Sequence, residues 1–236
     1  CYNEFGEKMD LKKEKWLKKD IKDFEKYLIK MQNKEKEEWT KNITRTKLKV
    51  LAIKSPVLKK ITNEIYKGNY ESFLKYNLSN YYEEILINGF LINKIKDYDL
   101  KVKYLNEYIK NEMCWATTDV LKFDNNIKYL ELSKEYIKSK NNYVVRIGII
   151  ILFSFIKTNI NEVFEIIKQI NTDDYYINMA YAWLLCECYI KNKNKVIEYI
   201  ENNKINSFVI NKMISKCHDS YRISIQEKEK LNKYKR

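Results

Sequence analysis

The sequence predicts an all-α protein in which short antiparallel helix pairs stack as a curved α-solenoid. Apolar residues recur with helical periodicity along nearly the whole chain, and no segment shows the alternation that is typical of a strand. The 236 residues include one proline and four glycines. Sandwiches, barrels and doubly wound folds need many tight turns, so this scarcity argues against those classes.

The helices are expected in a regular order, separated by short joints rich in Asn, Asp and Lys. The first is an amphipathic helix over residues 7–38. The second begins with Ser55 as its N-cap and Pro56 in its first turn, and it ends near Gly68. Further helices are predicted at 80–96, 98–110, 115–122, 126–139, 142–157, 160–170, 173–191, 193–202, 205–217 and 224–234.

The helix pairs recur about every 30–40 residues, which is the range of HEAT-like repeat units. A plain helical bundle is the competing architecture, but the helices are too many and too short for one bundle. The length of the chain allows one domain or two small ones. We expect residues 1–236 to form a single HEAT-like-repeat domain.

The chain carries 45 lysines and arginines against 32 acidic residues, which gives a net charge of +13. A surplus of this size makes a polyanion the first partner to consider, and in a solenoid it predicts a basic concave face. Only four of the cations are arginines, and the abundance of Lys, Asn, Ile and Tyr is typical of AT-rich coding sequences. The position of an arginine is therefore more informative than that of a lysine.

The five cysteines show neither the spacing of a disulfide framework nor that of a zinc site, and the chain has one histidine. We expect reduced thiols in a cytoplasmic, monomeric protein that uses no metal and no cofactor. The longest mostly apolar run, 147–156, is far shorter than the ~20 residues that cross a bilayer, so no membrane span is predicted. We expect Cys1 to mark a trimmed or incomplete N-terminus.

Trp115 and Asp119 are four residues apart, so on a helix they share one face. An aromatic ring beside a carboxylate forms a small apolar surface that carries a single negative charge. From this pattern alone, a core tryptophan with a surface or capping aspartate is the commoner outcome.

Arg146 lies among apolar residues within 143–150. Its guanidinium must reach solvent, pair with an acid or bind an external anion, and a structural salt bridge is as well favoured as an anion site. Gly148 follows in mid-helix, where glycine costs ~1 kcal/mol. It is therefore expected to allow the close approach of a neighbouring helix or of a ligand.

Trp183 lies among small residues in 179–185, where close helix packing and burial in the core are the plain interpretation. However, Asp119, Arg146 and Trp183 lie on successive predicted helix pairs, and equivalent positions of successive repeats line one concave surface of a solenoid. The spacing therefore predicts a ring, a carboxylate and an arginine in one groove. The acidic pairs at 83–84 and 173–174 fit helix-start charges better than a catalytic dyad.

Several stretches form an ordered series of motifs. Residues 115–119 read W-x-x-x-D, and residues 145–148 read V-R-x-G. The others are 51–60, 84–92, 179–185, 211–212 and 219–222. Together, over about residues 40–235, they resemble the DNA alkylation repair family of HEAT-like-repeat proteins, the AlkD-like alkylpurine DNA glycosylases. Ala52 and Lys54 depart from the family pattern.

The resemblance implies a monofunctional N-glycosylase that removes N3- or N7-alkylated purines from duplex DNA without flipping the lesion into a deep pocket. It implies that Asp119 is the catalytic carboxylate and that Arg146 holds the adjacent phosphate. It also implies that Trp115 and Trp183 pack against the deoxyribose of the lesion. The alkylated purine is already cationic while it is bound to the sugar and departs as a neutral base, so a fixed carboxylate that stabilises the oxocarbenium-like sugar suffices without a general acid or a metal.

Two other functions remain open from the sequence. One is a non-catalytic HEAT-like-repeat module that binds distorted or branched DNA. The other is a helical-repeat scaffold for proteins, whose basic surface reflects composition. Base release from alkylated DNA separates the glycosylase from both alternatives, and salt-dependent DNA binding separates the two DNA-binding functions from the scaffold.

Overall fold

The computed structural model describes residues 9–236, and every regular element in that range is helical. The range holds fourteen α-helices and two short 3₁₀ segments but no β-strand, and one isolated bridge joins Lys49 and Tyr81. The prediction of an all-α protein is confirmed. Contacts divide the chain into two compact units, unit 1 ending at Leu121 and unit 2 beginning at Lys122. The single repeat domain stays a prediction.

Unit 1 has a core in which aromatic rings meet edge to face. The rings of Trp16, Phe24 and Phe73 contact one another pairwise, with centroids 4.9–5.8 Å apart. The helices of the unit are α1 (Lys18–Ile29), α2 (Lys34–Thr44), α3 (Ser55–Tyr66), α4 (Tyr70–Leu74), α5 (Tyr82–Ile92), α6 (Tyr98–Tyr108) and α7 (Trp115–Asp119).

The continuous helix predicted over 7–38 is wrong, because side chains interrupt it at two points. α1 begins only after Leu17, whose backbone N–H donates to the Asp20 carboxylate at 2.8 Å. Residues 9–17 are not helical, and Leu11 and Trp16 reach the core from this irregular segment. Residues 7 and 8 of the prediction lie outside the described part of the chain.

The second interruption lies at Asn33, between α1 and α2. Its backbone N–H donates to the carbonyl of Leu51 at 2.8 Å, and its side chain accepts from the N–H of Lys36 as the N-cap of α2. The apolar pattern of the predicted helix ends at Met31, and residues 32–38 contain no apolar side chain, so periodicity did not support a helix across this break. The sequence also missed the short helix α4, and α3 is preceded by Lys54 as N-cap instead of the expected Ser55.

Two acidic side chains in the first turn of α5 organise the surrounding backbone. Glu83 and Glu84 are each 1% exposed. Glu84 accepts the backbone N–H groups of Asn80 at 2.7 Å and Tyr81 at 3.0 Å, which satisfies donors at the helix start. Glu83 accepts the N–H of Leu51 at 2.9 Å and so holds the segment that leads into α3. Glu84 thus takes the predicted helix-start role, whereas Glu83 lies in the same turn but binds a different segment.

Burial raises the pKa of Glu84 to about 7, and the carboxylates of Glu25 and Glu83 add to the rise. Because the folded pKa exceeds the ordinary value of 4.5, stability is expected to fall as pH rises from 4.5 to about 7. Glu84→Gln keeps an acceptor oxygen but cannot ionise. Relative to wild type, it should gain about 1–3 kcal/mol of unfolding free energy between pH 5 and pH 8.

Urea unfolding at these two pH values measures the effect. The exposed Glu131 provides the control variant Glu131→Gln, which is expected to follow the wild-type pH dependence. If Glu84→Gln also followed the wild-type curve at both pH values, Glu84 would be ionised without cost in the folded protein.

The helices of unit 2 are α8 (Lys128–Tyr136), α9 (Asn142–Leu152), α10 (Ile160–Ile167), α11 (Tyr175–Lys191), α12 (Lys193–Asn202), α13 (Ser207–Asp219) and α14 (Ile225–Leu231), with 3₁₀ segments at Phe153–Phe155 and Asn232–Tyr234. The longest helix, α11, packs against α9, α12 and α13. It therefore forms the centre of the unit.

Gly148 allows α9 to approach the end of α8 closely. An added Cβ would lie 3.0 Å from Cγ2 of Ile137 and 3.1 Å from Cβ of Tyr136. The Ser133 hydroxyl donates to the Gly148 carbonyl at 2.8 Å across the same contact. Of the two roles expected for this glycine, the structure shows the close approach of a neighbouring helix.

The cysteines within residues 9–236 are free and buried, namely Cys114, Cys186, Cys188 and Cys217. Cys1 lies outside the described residues. Across the described range, no helix combines the length and the apolar character that a bilayer span requires. The same residues contain no group of three or more His, Cys, Asp or Glu side chains that could hold a metal ion.

Candidate functional site

Trp115 and Asp119 occupy the two ends of α7, and both side chains are half-buried in unit 1. A spacing of four residues places them on the same side of the helix, about one turn apart. The helix begins with a local cap, in which the N–H of Cys114 donates to Oγ1 of Thr117 at 2.9 Å. This short helix therefore presents a ring and a carboxylate together.

Two side chains from other helices fix the C-terminal end of α7. The fully buried Tyr108 donates to the carbonyl of Thr117 at 2.8 Å, and Asn93 donates to the carbonyl of Val120 at 2.7 Å. Burial raises the pKa of Tyr108 well above its ordinary value, so its hydroxyl remains a donor. Gly89 makes room for both contacts, since a Cβ there would lie 2.9 Å from Tyr108 Oη and from Val120 Cγ2. The last turn of α7 is thus held firmly.

Asp119 is the last residue of α7, and the Thr118 hydroxyl donates to its Oδ1 at 3.2 Å. A capping aspartate lies at the opposite end of a helix, where it accepts hydrogen bonds from exposed N–H groups. At the C-terminal end, a carboxylate lies beside carbonyl oxygens and gains nothing from the helix dipole. The position of Asp119 therefore disfavours the capping role and leaves a partly exposed negative charge at a rigid turn.

The indole of Trp115 is fixed by a contact with α2, where its Nε1 donates to the carbonyl of Ile43 at 3.0 Å. On α2, Trp39 and Ile43 lie four residues apart and are 64% and 46% exposed. Unit 1 thus carries an exposed apolar strip that adjoins Trp115. The sequence did not indicate Trp39, because the helix expected over 7–38 stopped just before it.

Arg146 lies on α9 in unit 2 and is only 5% exposed. Its Nη1 donates to the backbone carbonyl of Tyr176 in the first turn of α11. Burying a guanidinium is costly unless it has such partners, so this bond offsets part of the desolvation. Arg146 therefore links two packed helices with at least one of its donors.

Trp183 lies on α11 and is half-buried, so the plain expectation of a core tryptophan holds only in part. Its ring centroid is 4.4 Å from that of Phe153. The indole also borders an open depression of about 420 Å³ within unit 2, together with Glu187, Tyr221 and Arg222. One face of the ring packs in the unit while another part faces this depression.

Arg222 is a candidate that the motif at 219–222 contained but to which the sequence assigned no role. Its two terminal nitrogens donate to both carboxylate oxygens of Glu187 at 2.6 and 2.9 Å, and this pairing raises the pKa of Arg222. The side chain is 55% exposed, and the neighbouring Tyr221 is fully exposed. The scarcity of arginine was the signal that could have indicated it.

The structure thus places two of the four predicted residues in each unit. Trp115 and Asp119 share α7 in unit 1, whereas Arg146 and Trp183 lie on the packed helices α9 and α11 in unit 2. A protein-family model described as DNA alkylation repair enzyme matches residues 24–214. The chain belongs to the DNA alkylation repair enzyme family.

The family match confirms the resemblance seen in the motifs. It includes all four predicted residues, and it begins at residue 24, ahead of the region over which the motifs resembled the DNA alkylation repair enzymes. It ends at residue 214, before the motif at 219–222. A comparison with curated proteins gives no match.

Proposed function

We propose that this member of the DNA alkylation repair enzyme family is a monofunctional DNA glycosylase. It hydrolyses the N-glycosyl bond of N3- or N7-alkylated purines in duplex DNA without drawing the base into a deep pocket. The observation that carries the proposal is the presentation of Asp119 and Trp115 by α7, a helix that is anchored at both ends. The family match supports DNA as the substrate class, and the net charge of +13 suits a polyanion.

The chemistry needs only groups that the chain supplies. An alkylated purine is a cationic leaving group, so breaking its bond to the sugar leaves an oxocarbenium-like deoxyribose. The carboxylate of Asp119 stabilises that charge and orients the attacking water. Because it lies on a fixed turn, it needs little reorganisation as the bond breaks. The ring of Trp115 offers an aromatic face to the same developing charge, which is worth about 0.5–2 kcal/mol.

Unit 2 contributes the DNA contacts of the proposal. Trp183 packs against the deoxyribose of the lesion through its partly exposed ring, and Arg146, which also donates to the Tyr176 carbonyl, holds the adjacent phosphate. The α-solenoid with a basic concave face stays a prediction of the sequence. The proposal expects a monomer that acts in the cytoplasm without a metal or a cofactor.

Base release is the direct test. The protein is incubated with duplex DNA that carries N3- and N7-methylated purines, and the released bases are separated by chromatography. We expect free methylated purines and abasic sites, but no strand cleavage, since no Schiff-base lysine is assigned. Unmethylated duplex of the same sequence is the control and should release nothing.

The two alternative functions give different results in the same experiments. Salt-dependent binding to DNA without any base release would indicate the non-catalytic module and would refute the glycosylase. Absence of DNA binding at low salt would leave only the protein scaffold.

A further inference from the structure

A second polar cavity lies within unit 2, and none of the four predicted site residues lines it. It measures about 880 Å³ and lies between the segment after α10 and the segment before α13. Asn178 and Tyr181 of α11 and Tyr199 of α12 form its inner wall. Its volume falls within the range of small-molecule sites, about 300–1,000 Å³.

Two buried hydroxyl groups lie in this wall. The Oη atoms of Tyr181 and Tyr199 are 2.7 Å apart, and the two residues are 4% and 6% exposed. Two hydroxyls carry two protons, and the bond between them uses one. Burial raises the pKa of Tyr199 to about 12 and also raises that of Tyr181, so both stay protonated at neutral pH. The pair therefore keeps one O–H proton that the bond between the two hydroxyls does not use.

The charged side chains that line the cavity are both lysines, Lys168 after α10 and Lys204 before α13, and both are exposed. Lys168 also pairs with the exposed Glu165, which does not line the cavity. The start of α13 forms part of the same wall, and the N–H groups of its first turn add positive partial charge. Asp173 lies near the edge, where its Oδ1 is 3.4 Å from Nδ2 of Asn206, but it does not line the cavity. The lining therefore favours an anion.

We propose that this cavity binds the phosphate group of a nucleotide. Lys168 and Lys204 neutralise the phosphate, and the hydroxyl pair of Tyr181 and Tyr199 donates to one of its oxygens. The volume exceeds the need of a phosphate ion, so the sugar also fits. This chemistry is shared by a free mononucleotide and by a phosphodiester unit of DNA, and the site goes beyond the proposed excision of bases.

Calorimetric titration with three probes tests the proposal: inorganic phosphate, deoxyadenosine monophosphate and an unalkylated duplex of twelve base pairs. Deoxyadenosine is the probe without phosphate and should bind at least about tenfold more weakly than its monophosphate. The double variant Lys168→Gln/Lys204→Gln should weaken phosphate-dependent binding at least about tenfold. Tyr199→Phe removes only the hydroxyl and should weaken it about three- to tenfold.

The control variant is Lys138→Gln/Lys140→Gln, which removes two exposed lysines of unit 2 that do not line the cavity. It should bind all probes as wild type does. Weaker binding of the mononucleotide in the cavity variants identifies a free nucleotide as the ligand, whereas weaker binding of the duplex alone identifies a DNA phosphodiester. Equal binding of every probe by the cavity variants and the control would overturn the proposal.

The lysine variant changes only exposed side chains, so it tests the proposal even if Tyr199→Phe does not fold. Base release from methylated DNA, measured on the same samples, keeps the two proposals distinct. A chain without glycosylase activity can still bind the mononucleotide, and an active chain can fail to bind it.

Discussion

Replacing Asp119 with asparagine is expected to slow base release from alkylated duplex DNA by about 10²–10³-fold. Asparagine keeps the size of the side chain and an acceptor for the Thr118 hydroxyl, but it lacks the negative charge that stabilises the oxocarbenium-like sugar. DNA affinity should be unchanged or slightly higher, because the carboxylate repels phosphates. Single-turnover base release and equilibrium binding to the same duplex measure the two effects.

The melting temperature separates this mechanism from a structural role of Asp119. The residue ends α7, so Asp119→Asn removes no helix cap, and the two residues have similar helix propensities. The folded protein should therefore melt at the wild-type temperature. Asp99→Asn changes the same charge at an exposed position of α6 and should leave base release unaffected. A well-folded Asp119→Asn protein with the wild-type rate would refute the mechanism.

The bounds of the helices in unit 2 could be predicted closely, because short joints rich in Asn, Asp and Lys separate these helices. The prediction at 193–202 coincides with α12, and that at 173–191 differs from α11 only at its first turn. In unit 1, by contrast, the bond from Asn33 to the carbonyl of Leu51 turns the chain between α1 and α2. That contact is distant in sequence, so the prediction extended one helix across the break even though residues 32–38 contain no apolar side chain.

The residues proposed for the chemistry could be predicted from the sequence, but the residues that hold their helix in place could not. Trp115 and Asp119 stand out because they lie four positions apart, which places them on one face of a helix. Gly89, Asn93 and Tyr108 hold their helix through tertiary contacts, and nothing local assigns them that role. Each lies in a segment that reads as an ordinary amphipathic helix. Sequence spacing therefore identifies side chains that share one face of a helix. It does not identify the side chains of other segments that hold that helix in place.

The apolar residues on both sides of Arg146 predicted that its guanidinium needs a partner. They did not show whether that partner is a group of the protein or an external anion. In the structure the side chain is 5% exposed and donates to the carbonyl of Tyr176. Arg146→Ala should therefore lower the free energy of unfolding by about 2–4 kcal/mol, because it removes this hydrogen bond between α9 and α11 and empties a packed site. Urea unfolding measures this loss.

If Arg146 binds DNA, its replacement also changes the salt dependence of DNA binding, which the loss of a buried side chain alone does not do. If Arg146 holds a phosphate, the plot of log K against log salt should become shallower by about 0.9 in Arg146→Ala, measured where the variant is fully folded. Arg222→Ala is the matched comparison, since its side chain is 55% exposed and its surface ion pair is worth no more than about 1 kcal/mol.

Comparing the two variants shows whether Arg146 or Arg222 contacts a phosphate of the DNA backbone. A change of slope in Arg146→Ala alone would support the proposed contact between Arg146 and a DNA phosphate. A change in Arg222→Ala alone would assign the phosphate to the exposed arginine beside Trp183 and leave Arg146 a structural link between α9 and α11. An unchanged slope in a folded Arg146→Ala protein thus contradicts its role in DNA binding, whatever its stability.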